Sequence, residues 1–310
     1  MDFGSILTLG QTALELGLIS SLTVLALFLS YSMLNVCDLS TDGCFTFGAA
    51  VGAVVAISGH PYLSIVAAMC AGMLSGLITA VLQTRMGINS LLAGIIVNTG
   101  LYSVNIAVMG NSSLLNMNKT ETVFTKLKSS LSSTAFVSQY KIIIAFIAVA
   151  LVILFLYFFL KTRLGLAIRA TGNNPAMVRS SSINPVMTTT VGLIISNSFT
   201  ALSGCLMAQA QKSVNIDIGS GVLTVALASL LIGNAFYSGS RIALRAVFAS
   251  VGAIIFRIVY TLALRFNMPA FMLKLVSSVI VIIAISAPYI KSQIPMIKRR
   301  LANRKGGLHA

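Results

Sequence analysis

Long apolar runs, each interrupted by a few polar residues, organise this sequence. Nine stand out, over residues 16–36, 43–59, 61–82, 88–110, 142–160, 186–211, 218–240, 246–264 and 275–290. A helix needs about 20 apolar residues to cross the hydrocarbon layer, so the second and last runs are short enough to be re-entrant pieces. The runs lack the alternation of barrel strands, and lipid offers exposed backbone groups no partners. The pattern predicts an all-α, polytopic transmembrane helical bundle of about nine spans, in one domain over residues 1–310.

Composition supports that reading. The chain is 57% hydrophobic and 9% charged, against about 25% charged residues in soluble domains. Its net charge of +15 would suggest nucleic acid in a soluble protein, but here the cations fall where membrane topology expects them, so the partner is the lipid bilayer and no nucleic acid is expected. Positive charge marks the cytoplasmic side. Lys161, Arg163, Arg169 and Arg179 share one link, Arg241 and Arg245 another, and Lys291, Lys298, Arg299, Arg300, Arg304 and Lys305 the segment 291–310. Placing all three inside puts Arg85 inside, and the polar loop 111–139 and the N-terminus outside. Lys119, Lys126 and Lys128 in that loop oppose the rule but are outnumbered.

Cys37, Cys44, Cys70 and Cys205 lie in or beside apolar runs without the spacing of a metal site or disulfide framework, and read as structural thiols. The first residues carry Asp2 and Glu15 but no cation, unlike a cleaved signal sequence. There is no nucleotide-binding loop or zinc-protease motif, and the two histidines, His60 and His309, read as surface residues. The chain is therefore not expected to be an enzyme or to hold a cofactor or metal of its own, and if ATP drives it, another chain must bind the nucleotide.

Several polar or small residues inside the runs need a reason. Gly48 with Gly52, and Gly72 with Gly76, have the four-residue spacing of close helix contacts. Asp38, Ser40 and Asp42 lie just before or at the start of the second run. They fit either a solvated turn, with Thr41 or Asp42 capping the next helix, or a break in the helix lining a pathway. Arg257 lies within the eighth run, where a long side chain either snorkels or pairs with a neighbouring helix, or faces an anion pathway. With Asn98 and Asn234, these residues are the candidate pathway positions.

The link 161–186 carries cations, no acid, and turn residues. Helix connections in compact bundles need only about 2 to 8 residues, so a longer basic link reads as a cytoplasmic docking element. Gly165 permits a tight helix start, and Gly172-Asn173-Asn174-Pro175 supplies turn chemistry ahead of a short helix over 176–181.

Three segments resemble the permease subunits of ABC importers for branched-chain amino acids and monosaccharides. Asp38-Leu39-Ser40 leading to Gly43 and Gly48 is similar to the "GIDLSVGS" segment of sugar permeases. Thr162-Arg163-Leu164-Gly165, Arg169-Ala170-Thr171-Gly172-Asn173-Asn174 and Ile183-Asn184 resemble the cytoplasmic "TRxGxxxRAxGxNxxxARxxGIN" signature. Gly219-Ser220-Gly221, 226–229 and Ile232-Gly233 resemble "GxG…LAxxIIG". Phe256-Arg257-Ile258, Asn267-Met268-Pro269 and Leu273-Lys274-Leu275 look closest to permeases assigned to tryptophan or tyrosine import. Ser182 replaces the usual glycine before Ile183, and Asn234 stands where the subgroup is often acidic.

The resemblance implies a type II importer-like bundle in the plasma membrane. It implies two copies of an ABC ATPase subunit below, an extracytoplasmic solute-binding protein outside, and a second permease, most simply in a homodimer. ATPase coupling would then run through Arg163, Gly165, Arg169, Gly172, Asn173, Asn174, Pro175, Arg179 and Asn184. The expected function is ATP-driven import of a small polar organic solute, an amino acid foremost, by alternating access. The rival is an ion-gradient-driven secondary carrier, which tends to place acids in mid-span.

Overall fold

The computed structural model describes residues 3–130, 139–237, 239, 241–265, 275, 277–283 and 286. Helix α1 (Phe3–Leu27) ends in a π-helical turn over Phe28–Met33, and after a bend the chain enters α2 (Thr41–Ile57), α3 (Pro61–Thr84) and α4 (Ser90–Val108). Strand β1 (Leu114–Asn116) and α5 (Val123–Ser130) precede α6 (Tyr140–Lys161), α7 (Arg163–Asn173) and α8 (Pro175–Ser180). The long α9 (Pro185–Gln211), strand β2 (Ser213–Asn215), a 3-10 turn (Ile216–Gly219), α10 (Val222–Phe236) and α11 (Ile242–Arg265) follow.

Seven helical segments among the described residues are long and apolar enough to cross a membrane, and α2, the short second run, is an eighth apolar helix of 17 residues. The last run and the segment 291–310 lie largely or wholly outside the described residues, as do Asn267-Met268-Pro269 and Leu273-Lys274. The bundle is all-α apart from one antiparallel pair, β1 with β2, in which Leu115 faces Val214.

Helix α9 is the axis, buried almost continuously from Ser196 to Gln209. Its small and hydroxyl-bearing residues explain how it sits inside three neighbours. A Cβ at Gly48 of α2 would strike the carbonyl of Ala201, and one at Gly52 would strike the Cys205 sulfur. Equal steps along both helices make α2 and α9 parallel. Gly72 rests on Asn197 and Ala201 while Gly76 rests on Leu193 and Ile194, so α3 runs antiparallel to α9. On the α1 side, Ser196 Oγ donates to the Ala26 carbonyl and Ser203 Oγ to the Ile19 carbonyl, each at 2.8 Å. With apolar lipid outside, close backbone approach and interhelical hydrogen bonds replace the hydrophobic effect as the cohesive terms.

The two ends of the bundle differ. At one end Arg245 stacks on Phe28, and Gly172 of α7 rests on the backbone of Met33 and Leu34. Arginines gather here, as the positive-inside rule expects of a cytoplasmic end. At the other end Lys141 pairs with Glu15 at 3.1 Å. There Gln209 accepts from the Val123 amide at 2.9 Å and donates to Ser64 Oγ at 2.7 Å. The predicted polar loop 111–139 is thus built structure in its described part, with a strand and a helix fastened to α9.

Overpacking a tight interior contact typically costs about 1–3 kcal/mol. A Cβ at Gly204 would strike the Phe45 carbonyl of α2, whereas nothing lies within 4 Å of one at Gly100. Gly204→Val should therefore lower the thermal midpoint of the detergent-solubilised protein and broaden its size-exclusion peak. Gly100→Ala should leave both unchanged or slightly improved; equal behaviour of the two variants would refute this account of the α2–α9 contact.

Candidate functional site

The π-helical turn at Phe28–Met33 and the bend after it return the chain into the bundle. Asn35 takes a positive φ of 57°, and the backbone then rises past α4, where Gly94 leaves room for Leu39. This return carries Asp38 to a position where it is 1% exposed. Its Oδ1 accepts from the Ser40 amide at 2.8 Å and from Ser40 Oγ at 2.6 Å, and its Oδ2 accepts from Asn197 Nδ2 at 2.8 Å. Thr79 Oγ1 donates to Ser40 Oγ at 3.3 Å, tying in α3.

Asn197 fixes the depth. It lies 12 residues beyond Pro185 at the start of α9, so Asp38 sits about 18 Å up that helix, close to its middle. The solvated-turn reading of Asp38 fails, because counting spans treats the link after α1 as a surface connection whereas the link climbs back inside. Hydrogen bonds from Ser40 and Asn197 replace the water that a buried carboxylate would otherwise require, and no cation pairs with it among the described residues.

Asp42 likewise does not serve its own helix. The residue preceding α2, Ser40, makes no side-chain cap, and the Asp42 carboxylate instead accepts from the Gly221 amide at 2.9 Å and the Leu223 amide at 2.7 Å. It thereby caps α10, whose own N-cap, Gly221, is left-handed and has no side chain to offer. A carboxylate at a helix N-terminus is favoured by the unpaired amides there and by the helix dipole.

Asp42 also borders a polar cavity of about 430 Å³ with Asn98, Tyr102 and Ser103 of α4 and Asp217 of the 3-10 turn. Asn105, one further turn along α4, donates to the Gly43 carbonyl at 3.3 Å, and its Oδ1 is buried without a partner. Asn98, Tyr102 and Asn105 share one helical face, a pattern visible in the sequence but singled out there only at Asn98. Asn197 and Asp217 were missed, since a single Asn in an apolar run and an Asp after one carry little signal alone. The structure brings Asp38, Ser40, Asp42 and Asn98 into one neighbourhood. Asn234 lies apart near the cytoplasmic end of α10, half-buried, and Arg257 faces a separate cavity against α1 and α10.

The basic link forms two short helices. Thr162 caps α7 by accepting from the Gly165 amide at 3.2 Å, and a side chain at Gly165 would meet the backbone of Phe159 and Leu160. Asn174 Oδ1 accepts from the amides of Ala176 and Met177, both at 3.1 Å, with Pro175 as the first residue of α8. Asn184 caps α9 in the same manner through the Val186 amide at 2.9 Å. Helix α8 buries Val178 and exposes Met177 and Arg179, while Arg163 and Asn173 are exposed and Arg169 is half-buried. None of the three arginines has a carboxylate partner among the described residues. Ser182 holds a positive φ of 60°, so the left-handed turn survives without glycine at a cost of about 1–2 kcal/mol.

Comparison with known proteins agrees with these features. The sequence model for the permease component of branched-chain amino acid transport systems matches residues 11–285. A tyrosine transport system permease protein of Clostridioides difficile (strain R20291) is 31% identical over 266 residues, covering 86% of each chain. An uncharacterized protein of Rickettsia prowazekii (strain Madrid E) is 32% identical over 282 residues, covering 89% of this chain and 96% of its own. No solved structure matches significantly. By these matches and its apolar helices, this chain belongs to the ABC permease family of branched-chain amino acid transport systems and is a multi-pass transport subunit of the plasma membrane.

Proposed function

We propose that this permease is the membrane subunit of an ATP-driven importer of a small polar organic solute, an amino acid foremost. The relative named for tyrosine transport supports that substrate class. The observation that carries the reading is mechanical. Gly172, in the last turn of α7, rests directly on Met33 and Leu34, and four residues later the same strand of chain holds Asp38 at mid-depth. Displacement of α7 and α8 by a partner ATPase would therefore move the broken link that leads into Asp42 and Gly43 of the polar cavity wall.

In this scheme two ATPase subunits dock on Met177 and Arg179 with the flanking Arg163 and Arg169. An extracytoplasmic binding protein delivers solute at the opposite end. A second copy of the permease covers the polar face of α4, where Thr99, Tyr102 and Ser103 are exposed. ATP binding closes the docking elements, and the pathway beside Asp42 and Asn98 changes the side to which it opens. Only contacts that differ between the two states can transmit that work.

One observation favours the secondary carrier. Asp38 is a mid-depth acid of the type that carriers use as ion sites. The two readings separate in proteoliposomes containing the complex that co-purifies with this chain. Uptake that requires ATP inside and tolerates a protonophore supports the importer, whereas uptake that ignores ATP and collapses with the gradient supports the carrier.

Two substitutions probe the mechanism. Arg169→Glu should reduce substrate-stimulated ATP hydrolysis by about 10-fold, the scale expected for losing an interfacial charge pair, while the purified permease stays monodisperse; full stimulation would remove Arg169 from the coupling surface. Hydrogen bonds to charged groups contribute about 1.5–3 kcal/mol, so Asp38→Asn, which sets two amides against each other, should lower uptake by about 10-fold or more. The exchange Asp38→Asn with Asn197→Asp restores a donor–acceptor pair and should recover most of that loss. Undiminished uptake by the single variant would reduce Asp38 to a local turn residue.

A further inference from the structure

A second cavity, of about 540 Å³, lies between α1, α9, α10 and α11, on the far side of α2 from the polar one. The two are separated by α2 and the turn that follows β2: Phe45 walls the larger, Asp42 and Thr46 wall the smaller, and Ser220 touches both. Its lining is mainly apolar, from Val24, Phe45, Ala226 and Phe256, and its size is typical of small-molecule sites, about 300–1,000 Å³.

Two polar atoms of the residues in this wall have no hydrogen-bond partner among the described residues. The Nε of Arg257 is buried without a hydrogen bond, and so is the hydroxyl of Thr23. Thr23 is 1% exposed. The guanidinium lies 5.5 Å from the ring centre of Tyr260, and no carboxylate pairs with it among the described residues. Asp42 does not serve as its counter-ion, since both its oxygens are taken by the first amides of α10. Arginine stays charged at any physiological pH, and an unpaired charge at membrane depth is costly. Arg257 is 15 residues beyond Ile242 at the start of α11, about 22 Å from the cytoplasmic end and in the outer half of the bundle. At the outer end of the cavity Gln211, Ser220 and Thr224 are exposed and form a polar mouth.

We propose that this cavity binds an amphiphilic anion, with its carboxylate or phosphate on the Arg257 guanidinium and its apolar body against Val24, Phe45, Ala226 and Phe256. The anion supplies the counter-charge that no described residue supplies, and its body fits the apolar lining. Two sources offer this chemistry: an anionic phospholipid of the outer leaflet, and an apolar carboxylate solute entering by the mouth. The site does not depend on how transport is driven.

The chain contains no tryptophan, so Tyr260→Trp places a single reporter beside Arg257. The full-length variant would be reconstituted in phosphatidylcholine nanodiscs. Brominated phosphatidylglycerol is compared with brominated phosphatidylcholine as a quencher, and 3-phenylpropionate is titrated into discs free of bromine. A lipid source gives quenching about 2-fold stronger with the anionic lipid. A solute source gives a saturable emission change with 3-phenylpropionate. In either case Arg257→Gln should abolish the headgroup preference or weaken the titration by about 10-fold, the scale of a lost charge-assisted contact, while Arg257→Lys largely preserves the effect. Because Arg257→Lys keeps the charge, loss of the response in both variants with unchanged thermal stability still assigns the site to the guanidinium fork. Responses that persist in Arg257→Gln, or no anion-dependent response in the parent, would overturn the proposal.

Discussion

The carboxylate of Asp38 meets the side-chain amide of Asn197 across 159 residues of sequence, and much of the bundle is arranged so that this meeting can occur. A charge brought to mid-depth must find donors there, because neither lipid nor helix interior supplies them. The π-helical turn at the end of α1 frees the chain to turn back, Gly94 lets the returning strand pass α4, and Gly72 and Gly76 bring α3 against α9 beside it. Removing the acid would make the break unnecessary; removing the break would strand the acid.

From that contact outward, stiffness increases. Helices α2, α3 and α9 touch backbone to backbone through glycines, so small displacements cannot be absorbed by side-chain rearrangement alone. The docking helices are fixed just as closely at their inner end, where Gly172 meets Met33 and Leu34. They are free only at their outer face, where Met177 and Arg179 project. From that face, α7 leads to a close backbone contact with the residues just ahead of the chain break.

The bundle and the helix starts within the basic link were legible in the sequence because both rest on local rules. Apolar run length marks spans, while Thr162, Asn174 and Asn184 cap helices within three residues of themselves and leave the expected signatures before Gly165, Pro175 and Pro185. The depth of Asp38 was illegible because it depends on the turn after Phe28 and on a partner far along the chain. Asp42 deceived the local rule for the same reason: it reads as a cap for α2 but serves α10, 179 residues away. Arg257 was conspicuous as a cation in an apolar run, yet a run of apolar residues carries no sign of the cavity that its side chain faces.

The cap that Asp42 places on α10 bears on how the protein is made. Helix α10 begins at a left-handed glycine that cannot satisfy its own first amides, and the group that does so leaves the ribosome far ahead of it. Until α10 arrives, Asp42 has no donors and α2 cannot settle fully in apolar surroundings; until α2 is in place, the start of α10 has exposed amides that lipid will not accept. The two segments therefore mature together. This makes insertion of the early half of the chain provisional, completed only when the late half reaches back to it.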